Sequence, residues 1–411
     1  MKIHFIGIKG IGVSALAGYY LAKGHKVSGS DLVLGPHKAK NVPKDADLII
    51  HSPAVQPDNP EIKQAKKLKI KIQTYPQALG DLTKEYFTIA VSGTHGKSTT
   101  CAMVALILMK AGLDPTVIVG TKLKEFGNKN FRIGKSKYLV IEADEWQASF
   151  LNYWPKIIVL TNIEKEHLDY YKDLKHILKT YREYVGHLTK EGVLVVNQDD
   201  RNISRIMNYE LRIKNFSIKQ KETKELRRIL KIPGEHNVYN ALAALTLARI
   251  LRIPNKVSFK ALSEYRGVWR RFEIIKKKNF TLIHDYAHHP TEVKATLQAA
   301  REKFPNKEIW CIFQPHQYQR TFYLFNDFVR VFSIAPIDKL IITDIYDVAG
   351  REKKKIKEKI SSKELVRKIK KYEKVYLPKK KIKDYLKRNL KGGEVIIIMG
   401  AGDVYKLLDK V

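Results

Sequence analysis

Cysteine is scarce in this chain, with two residues, Cys101 and Cys311, in 411. Both lie inside apolar runs and show no metal-ligand spacing, so they read as buried thiols in a reducing compartment. Long apolar stretches are missing too. No run of 18 apolar residues occurs, which excludes an ordinary membrane-spanning helix. The opening MKIHFIGIKGIG has no small-residue cleavage site and flows into a structured pattern. No signal peptide is therefore expected, and the cytoplasm is the expected location. Acidic residues are few: 42 Asp and Glu stand against 76 Lys and Arg, a formal net charge of +34. That excess raises the prospect of a nucleic-acid-binding ATPase. Zinc-finger spacing, glycine–aromatic RNA motifs and a basic tail are all lacking, however. The lysines are spread in short clusters such as Lys66-Lys67, Lys276-Lys277-Lys278 and Lys379-Lys380-Lys381. The charge reads as a solvated surface that also steers anionic small ligands. Neither nucleic acid nor membrane is expected as a partner.

What the chain does have is a set of polar and glycine-rich stretches at the ends of strand-like runs. The sharpest is VSGTHGKSTT, Val91 to Thr100, lying between the apolar run ending at Ala90 and the helix-like run Cys101–Met109. This is the place and composition of a phosphate loop. Gly93 and Gly96 let the backbone turn tightly and approach a ligand, with Thr94 and His95 between them. The helix beginning near Ser98 offers free N–H groups. Lys97 can reach the outer phosphates of a nucleotide, and Ser98 or Thr99 offers a hydroxyl to magnesium. The eight-residue nucleotide-loop pattern asks for glycine at position 91, where the chain has Val91. The motif is thus a shortened relative, Gly93 to Ser98.

Three stretches of alternating strand and helix are expected, at 1–84, 85–266 and 267–411. In the first, a strand at Lys2–Ile6 leads into Gly7, Gly10 and Gly12 and a helix from about Val13 to Ala22, a dinucleotide-fold half in outline. Lys9 replaces the middle glycine of the usual fingerprint and would crowd a pyrophosphate lying on the loop. This weakens a nicotinamide or nucleotide-sugar oxidoreductase reading and favours another phosphate-bearing ligand. Asp31 ends the second strand and either holds a ribose or caps a turn. A further strand ends at His51-Ser52-Pro53. In the second stretch, Glu142 and His167 follow strand-like runs, and ligands lie beyond the carboxyl ends of such strands. Glu142 suits magnesium, whereas His167 either touches metal or bonds a carboxylate. Asn237 or Asn240 either reads a base edge or caps the small-residue helix that follows. In the third stretch, polar residues crowd the ends of four strand-like runs, around His284–Pro290, Gln314–Thr321, Thr343-Asp344 and Gly400–Asp403.

Together these motifs resemble the ATP-dependent amide ligases of murein precursor synthesis. The resemblance is carried by HFIGIKGIG, SGSD, GTHGKSTT, NFRIG, EADE, TNIEKEHLD, GEHNVYNALAA, DYAHHPTEV, QPHQYQRT and GAGD, and it covers nearly the whole chain. It implies an α/β, three-domain ligase. A Rossmann-like N-terminal domain would bind a uridine nucleotide, a central P-loop ATPase-like domain would follow, and a C-terminal Rossmann-like α/β domain would close over ATP. It implies ATP and magnesium as cofactors, UDP-N-acetylmuramate and L-alanine as substrates, an acyl-phosphate intermediate, and a monomer or weak dimer. A related ligase that recycles murein peptides is the alternative within the family.

The resemblance also assigns roles. Lys97 grips the β- and γ-phosphates, and Ser98, Glu142 and His167 hold the metal. Asn237 and Asn240 contact adenine, while Arg271 and Asp285 contact the nucleotide from the closing domain. Asn130 and Arg132 stand beside the activated carboxylate. Tyr286, His288, His316 and Arg320 line the amino-acid side, with Arg320 the expected clamp for a carboxylate. Gly7, Lys9, Gly10, Ile11, Gly12, Asp31 and Ser52 belong to the uridine-nucleotide side. Departures from the family pattern are Lys9 for glycine, Ser98 for threonine, Glu145-Trp146-Gln147 for Glu-Ser-Asp, Glu166 for aspartate and Gln317 for arginine. The chain is also short for the family, which implies trimmed loops.

Overall fold

Alternation of short apolar strands with helices produces three separate sheets. The computed structural model describes residues 1–207, 210–348, 354–370 and 373–408. The first sheet holds β1 (Lys2–Ile6), β2 (Lys26–Ser30), β3 (Leu48–His51) and β4 (Lys71–Thr74) in the order β2-β1-β3-β4, all parallel. The helix Ile11–Ala22 begins two residues earlier than the sequence suggests.

The second sheet is built from β5 (Phe87–Ser92), β6 (Thr116–Leu123), β7 (Lys129–Arg132), β8 (Tyr138–Glu142), β9 (Ile157–Leu160), β10 (Val193–Asn197) and β11 (Arg212–Phe216). Its order is β11-β10-β9-β5-β8-β6-β7, with only the β6–β7 pair antiparallel. Its central strands have apolar, buried middles: Ile89 to Val91, Leu139 to Ile141 and Ile157 to Leu160. This is the pattern of a parallel sheet covered on both faces.

The third sheet comprises β12 (Glu273–Lys276), β13 (Thr281–Asp285), β14 (Ile309–Phe313), β15 (Lys339–Ile342), β16 (Glu373–Tyr376) and β17 (Val395–Met399). The order is β12-β13-β17-β14-β15-β16, antiparallel only at β12–β13. The last strand, β17, fills the gap between β13 and β14. A chain reversal of this kind leaves a crevice at the carboxyl ends of the strands, where α/β proteins hold ligands.

The chain forms two compact units. One contains Met1–Ile163, Ile177–Ile229 and Tyr239–Val268, and so carries the first two sheets; the other contains Glu164–His176, Leu230–Val238 and the chain from Trp269 onward. Within the first unit the two sheets are joined by close backbone packing. A Cβ at Gly18, in the helix Ile11–Ala22, would overlap the Phe131 ring on β7, and one at Gly80 would overlap the carbonyl of Asn152. The Asn130 amide adds hydrogen bonds to the Ile11 carbonyl and, at 3.0 Å, to Ser14 Oγ. Cys101 and Cys311 are buried free thiols. Among the described residues, no helix is long and apolar enough to cross a membrane.

Candidate active site

The loop after β5 is shaped by its two glycines. Gly93 has φ +126° and Gly96 has φ +83°, a region that side chains avoid. Space is equally restrictive: a Cβ at Gly93 would overlap Thr161 Oγ1, and one at Gly96 would overlap Asn240 Oδ1. The end of β9 pins the loop. Thr94 N donates to the Asn162 carbonyl at 2.9 Å and His95 N to Asn162 Oδ1 at 2.8 Å. Thr161 Oγ1 in turn donates to the His95 carbonyl at 2.6 Å. Gly96 then caps the helix Lys97–Lys110, whose first turn contributes Ser98 and Thr99.

Lys97 is held inside this loop. Its ammonium donates to the Gly93 carbonyl at 2.7 Å, the Thr94 carbonyl at 3.2 Å and Glu145 Oε2 at 2.8 Å. Burial alone would discharge it, but Glu145, Asp144 and Glu142 outweigh that and raise its pKa. Burial also raises the Glu145 carboxyl against the pull of Lys97, and at 2.8 Å the two groups hold each other charged. Glu145 stands out in the sequence only through its place in EADE and as part of the departure Glu145-Trp146-Gln147, with no role assigned. Next to this pair, Ser98 Oγ donates to both oxygens of Glu142, at 3.0 and 2.9 Å. Gly120 N donates to Glu142 Oε2 at 2.7 Å, and a Cβ at Gly120 would stand 2.7 Å from that oxygen. The structure thus brings Ser98 and Glu142 together as a pair of hard oxygen donors, the chemistry that suits magnesium.

The glycine loop after β1 is stabilised by Asp31. Its Oδ2 accepts from Lys9 N at 3.0 Å and its Oδ1 from Val33 N at 3.0 Å. Of the two readings open for Asp31, the geometry is that of the turn cap. The Lys9 side chain is exposed. Gly7 lies against Ser52, where a Cβ would stand 3.1 Å from the serine Cβ, and Gly12 lies against the Tyr75 ring. Gly10 N donates to the Gly7 carbonyl at 3.0 Å, and Ile11 opens the helix.

Four residues expected at the site, in the first unit and its neighbouring segment, have protein partners in this structure. Asn130 does not stand open as a catalytic side chain: it braces β7 against the helix Ile11–Ala22 through the bonds given above. Arg132 is bound to Asp114 and to the Pro115 carbonyl, the latter at 2.6 Å. Both residues position β7. Asn240 Oδ1 accepts from Thr100 Oγ1 at 3.1 Å, beside Gly96, so it supports the phosphate loop. Asn237, in the second unit, donates to the Pro233 carbonyl at 2.6 Å and fixes the start of the helix Glu235–Ile250.

In the second unit the polar residues at the ends of the strands gather around a buried ion pair. Arg320 Nε donates to Glu166 Oε1 at 2.9 Å, and both side chains are buried. Arg320 Nη1 also donates to the His316 carbonyl at 3.0 Å. Burial would raise the Glu166 carboxyl, but Arg320, His289, His167 and His288 hold it well below the usual carboxylate range. In this structure Arg320 is therefore a partner of Glu166. Glu166 was noted in the sequence only as a departure from aspartate.

His288 lies 4.0 Å from Glu166 and 3.2 Å from Glu292. Burial and Arg320 lower its pKa to about 4, against the pull of the two glutamates. His316 stacks on Tyr346, with ring centroids 5.3 Å apart. His167 has φ +54°, and its N–H donates to Glu166 Oε1 at 2.9 Å. Gln317, in place of the family's arginine, is buried at the start of the helix Tyr318–Tyr323 with φ +71°.

Tyr286 is flanked by two guanidinium groups, Arg270 at 4.8 Å and Arg271 at 4.9 Å from its ring centre. Arg271 also lies 3.6 Å from Glu292. Arg270, which the sequence reading passed over, is buried and donates to the carbonyls of Gly400 and Gly402. Asp285 accepts from Phe272 N at 2.7 Å and Ala287 N at 2.8 Å, and burial raises its pKa.

Comparison with known proteins agrees with this architecture. The description "Mur ligase family, catalytic domain" matches residues 2–87, "Mur ligase middle domain" residues 91–248, and "Mur ligase, glutamate ligase domain" residues 270–402. A UDP-N-acetylmuramate–L-alanine ligase of Clostridium acetobutylicum is 39% identical over 447 aligned positions, covering 99% of this chain and 96% of the relative. The enzyme of that name from Aquifex aeolicus is 39% identical over 449 positions, covering 98% and 96%. These alignments are longer than the 411-residue chain, so some positions of the relatives have no counterpart here. The crystal structure of UDP-N-acetylmuramate–alanine ligase from Thermotoga maritima superposes with a TM-score of 0.80 at 29% identity, covering 99% of this chain and 97% of that one. With three family domains matched in order and relatives at 39% identity along nearly all of its length, the chain belongs to the Mur ligase family.

Proposed function

We propose that this protein joins L-alanine to UDP-N-acetylmuramate, in the cytoplasm, with ATP converted to ADP and phosphate. The observation that carries the reading is the Gly93–Ser98 loop with the Ser98–Glu142 oxygen pair beside it. The names of the curated relatives support the choice of substrates. The domain division is taken at 1–84, 85–266 and 267–411.

A carboxylate is a poor electrophile, because its leaving group would be an oxide. Phosphorylation by the γ-phosphate of ATP supplies a better one. The muramoyl carboxylate oxygen attacks the γ-phosphorus and ADP leaves. The alanine amine then attacks the acyl carbon, loses a proton, and phosphate departs with the former carboxylate oxygen. Both steps gather negative charge on phosphoryl oxygens. Lys97 would meet that charge, together with the N–H groups that open its helix.

Ser98 and Glu142 would hold magnesium, with His167 a third candidate; the ion would neutralise phosphate charge. Lys97 must exchange Glu145 for phosphate when ATP enters, so Glu145 is the counter-ion that keeps this lysine charged in a buried loop. On the amino-acid side, His288 stays neutral near pH 7 and can accept a hydrogen bond or a proton. Tyr286, His316 and Arg271 complete the set proposed to face the incoming substrates.

The test is phosphate release by the purified protein with ATP, magnesium, UDP-N-acetylmuramate and single amino acids, or a murein tripeptide in their place. Release that requires both UDP-N-acetylmuramate and L-alanine supports the reading. Release with the tripeptide but not L-alanine would replace it with a recycling ligase.

A further inference from the structure

The edge of the third sheet opposite its polar crevice carries a second feature. The amino ends of β13, β17 and β14, three neighbouring strands, border a cavity of about 830 Å³. Strands of five residues place this edge roughly 16 Å from the Asp285 end. Its wall is basic: Lys276, Lys277, Lys278, Lys307, Lys383, Lys387 and Lys391 all line it. Among the described lining residues there is no carboxylate. The nearby Glu394 is buried, and its carboxylate accepts from the backbone N–H groups of Lys391 and Gly392.

Lysines gathered around one cavity repel each other, and a single monovalent anion would neutralise only one of them. A multivalent anion relieves the repulsion of several at once. The lower wall is apolar, made by Phe280, Leu386, Leu390 and Leu408. Gly392 and Gly393, with φ +104° and +93°, form a turn that leaves one side of the cavity free of side chains. The volume lies within the range of small-molecule sites, about 300–1,000 Å³. An apolar floor under a basic rim suits a ligand that buries a ring and leaves phosphates outermost. A lipid would enter in the reverse order, headgroup first.

From this we propose a second anion site, separate from the ATP loop, for a soluble ligand carrying two or more phosphate groups. The source of the phosphates is either a nucleoside polyphosphate or a free phosphate chain. The experiment is equilibrium titration of the whole protein with a non-hydrolysable ATP analogue and, separately, with tripolyphosphate. It is run on the wild type, on Lys383→Gln/Lys387→Gln/Lys391→Gln, and on a control, Lys63→Gln/Lys66→Gln/Lys67→Gln, that removes equal charge elsewhere. The wild type and the control are expected to bind two equivalents of the analogue and the cavity variant one. The affinity of the second equivalent should fall as salt rises.

Tighter second-site binding of the analogue than of tripolyphosphate assigns a nucleotide; equal binding assigns a free phosphate chain. One equivalent in the wild type, or equal loss in cavity variant and control, overturns the site. Stronger cavity-dependent binding to phosphatidylserine vesicles or to a single-stranded oligonucleotide, at matched phosphate, overturns the ligand class. Ligase turnover of the cavity variant is expected at the wild-type level, so failure of this inference is distinguishable from failure of the proposed function.

Discussion

The phosphate loop and the Arg320 network are both dense in polar residues, but they are built in different ways. The loop is specified locally. Its glycines have positive φ and no room for a Cβ, and its lysine turns back onto carbonyls three and four residues earlier. The Arg320 network is specified by charge across the fold, with Glu166 and Arg320 separated by 154 residues in sequence. A local device can lose its working side chain and keep its shape. A buried charge network cannot lose one member without leaving another stranded.

The largest expected effect separates these two cases. Lys97→Ala should lower turnover by about 10²–10³-fold, as loss of a charge-stabilising contact does. Its melting temperature and its affinity for UDP-N-acetylmuramate should stay near wild type, because Gly93, Gly96 and their partners remain. Steady-state kinetics and a binding titration check this, and wild-type turnover would refute the role of the loop.

Arg320→Ala should instead act on folding. Breaking a buried pair by removing one partner costs about 3–5 kcal/mol, because Glu166 is left charged and buried. Denaturant unfolding measures the loss. The double variant Glu166→Gln/Arg320→Met should recover much of it, since the uncompensated charge is gone. If Arg320→Ala keeps its stability and only raises the requirement for L-alanine, Arg320 is the open clamp after all.

The same network predicts a pH dependence. His288 has a folded pKa of about 4, below its ordinary value of 6.5. The unfolded chain therefore binds the proton first as pH falls, and stability is lost between pH 6.5 and 4. The loss from this group is at most about 3 kcal/mol. His288→Asn should flatten the stability profile in that window, and an unchanged slope would show that other groups set it.

A smaller change sharpens the picture of the loop. Glu145→Gln removes the carboxylate that Lys97 must leave when ATP binds, while the Gly93 and Thr94 carbonyls still hold the ammonium. The Michaelis constant for ATP should fall by a factor worth about 0.5–1.5 kcal/mol, with little change in that for L-alanine. A rise in the ATP constant would mean that Glu145 orients Lys97 for phosphate instead of competing with it.

What could be read from the sequence follows the same division. The loop after β5 was legible because glycine, lysine and hydroxyl residues lie together between a strand and a helix. The central strands were legible as apolar runs ending in polar residues. The β6–β7 hairpin was not, since NFRIG is short and half polar and is shaped by packing of Phe131 on Gly18. The edge strands β12 and β16 carry lysines and glutamates and lack an apolar run. Asn130 and Arg132 stood out from the family motif, yet their partners, Ile11 and Asp114, come from other elements. Glu166 showed as a substitution for aspartate, but its pairing with Arg320 depends on tertiary structure alone.

The central claim is that a carboxylate oxygen is passed to phosphate on the way to the amide. Oxygen-18 in the carboxyl group of UDP-N-acetylmuramate tests it most directly, with mass spectrometry of the phosphate released in the presence of ATP and L-alanine. The account predicts one labelled oxygen in each phosphate formed and one retained in the amide product. Unlabelled phosphate, with the second labelled oxygen released as water when the amide forms, would contradict it.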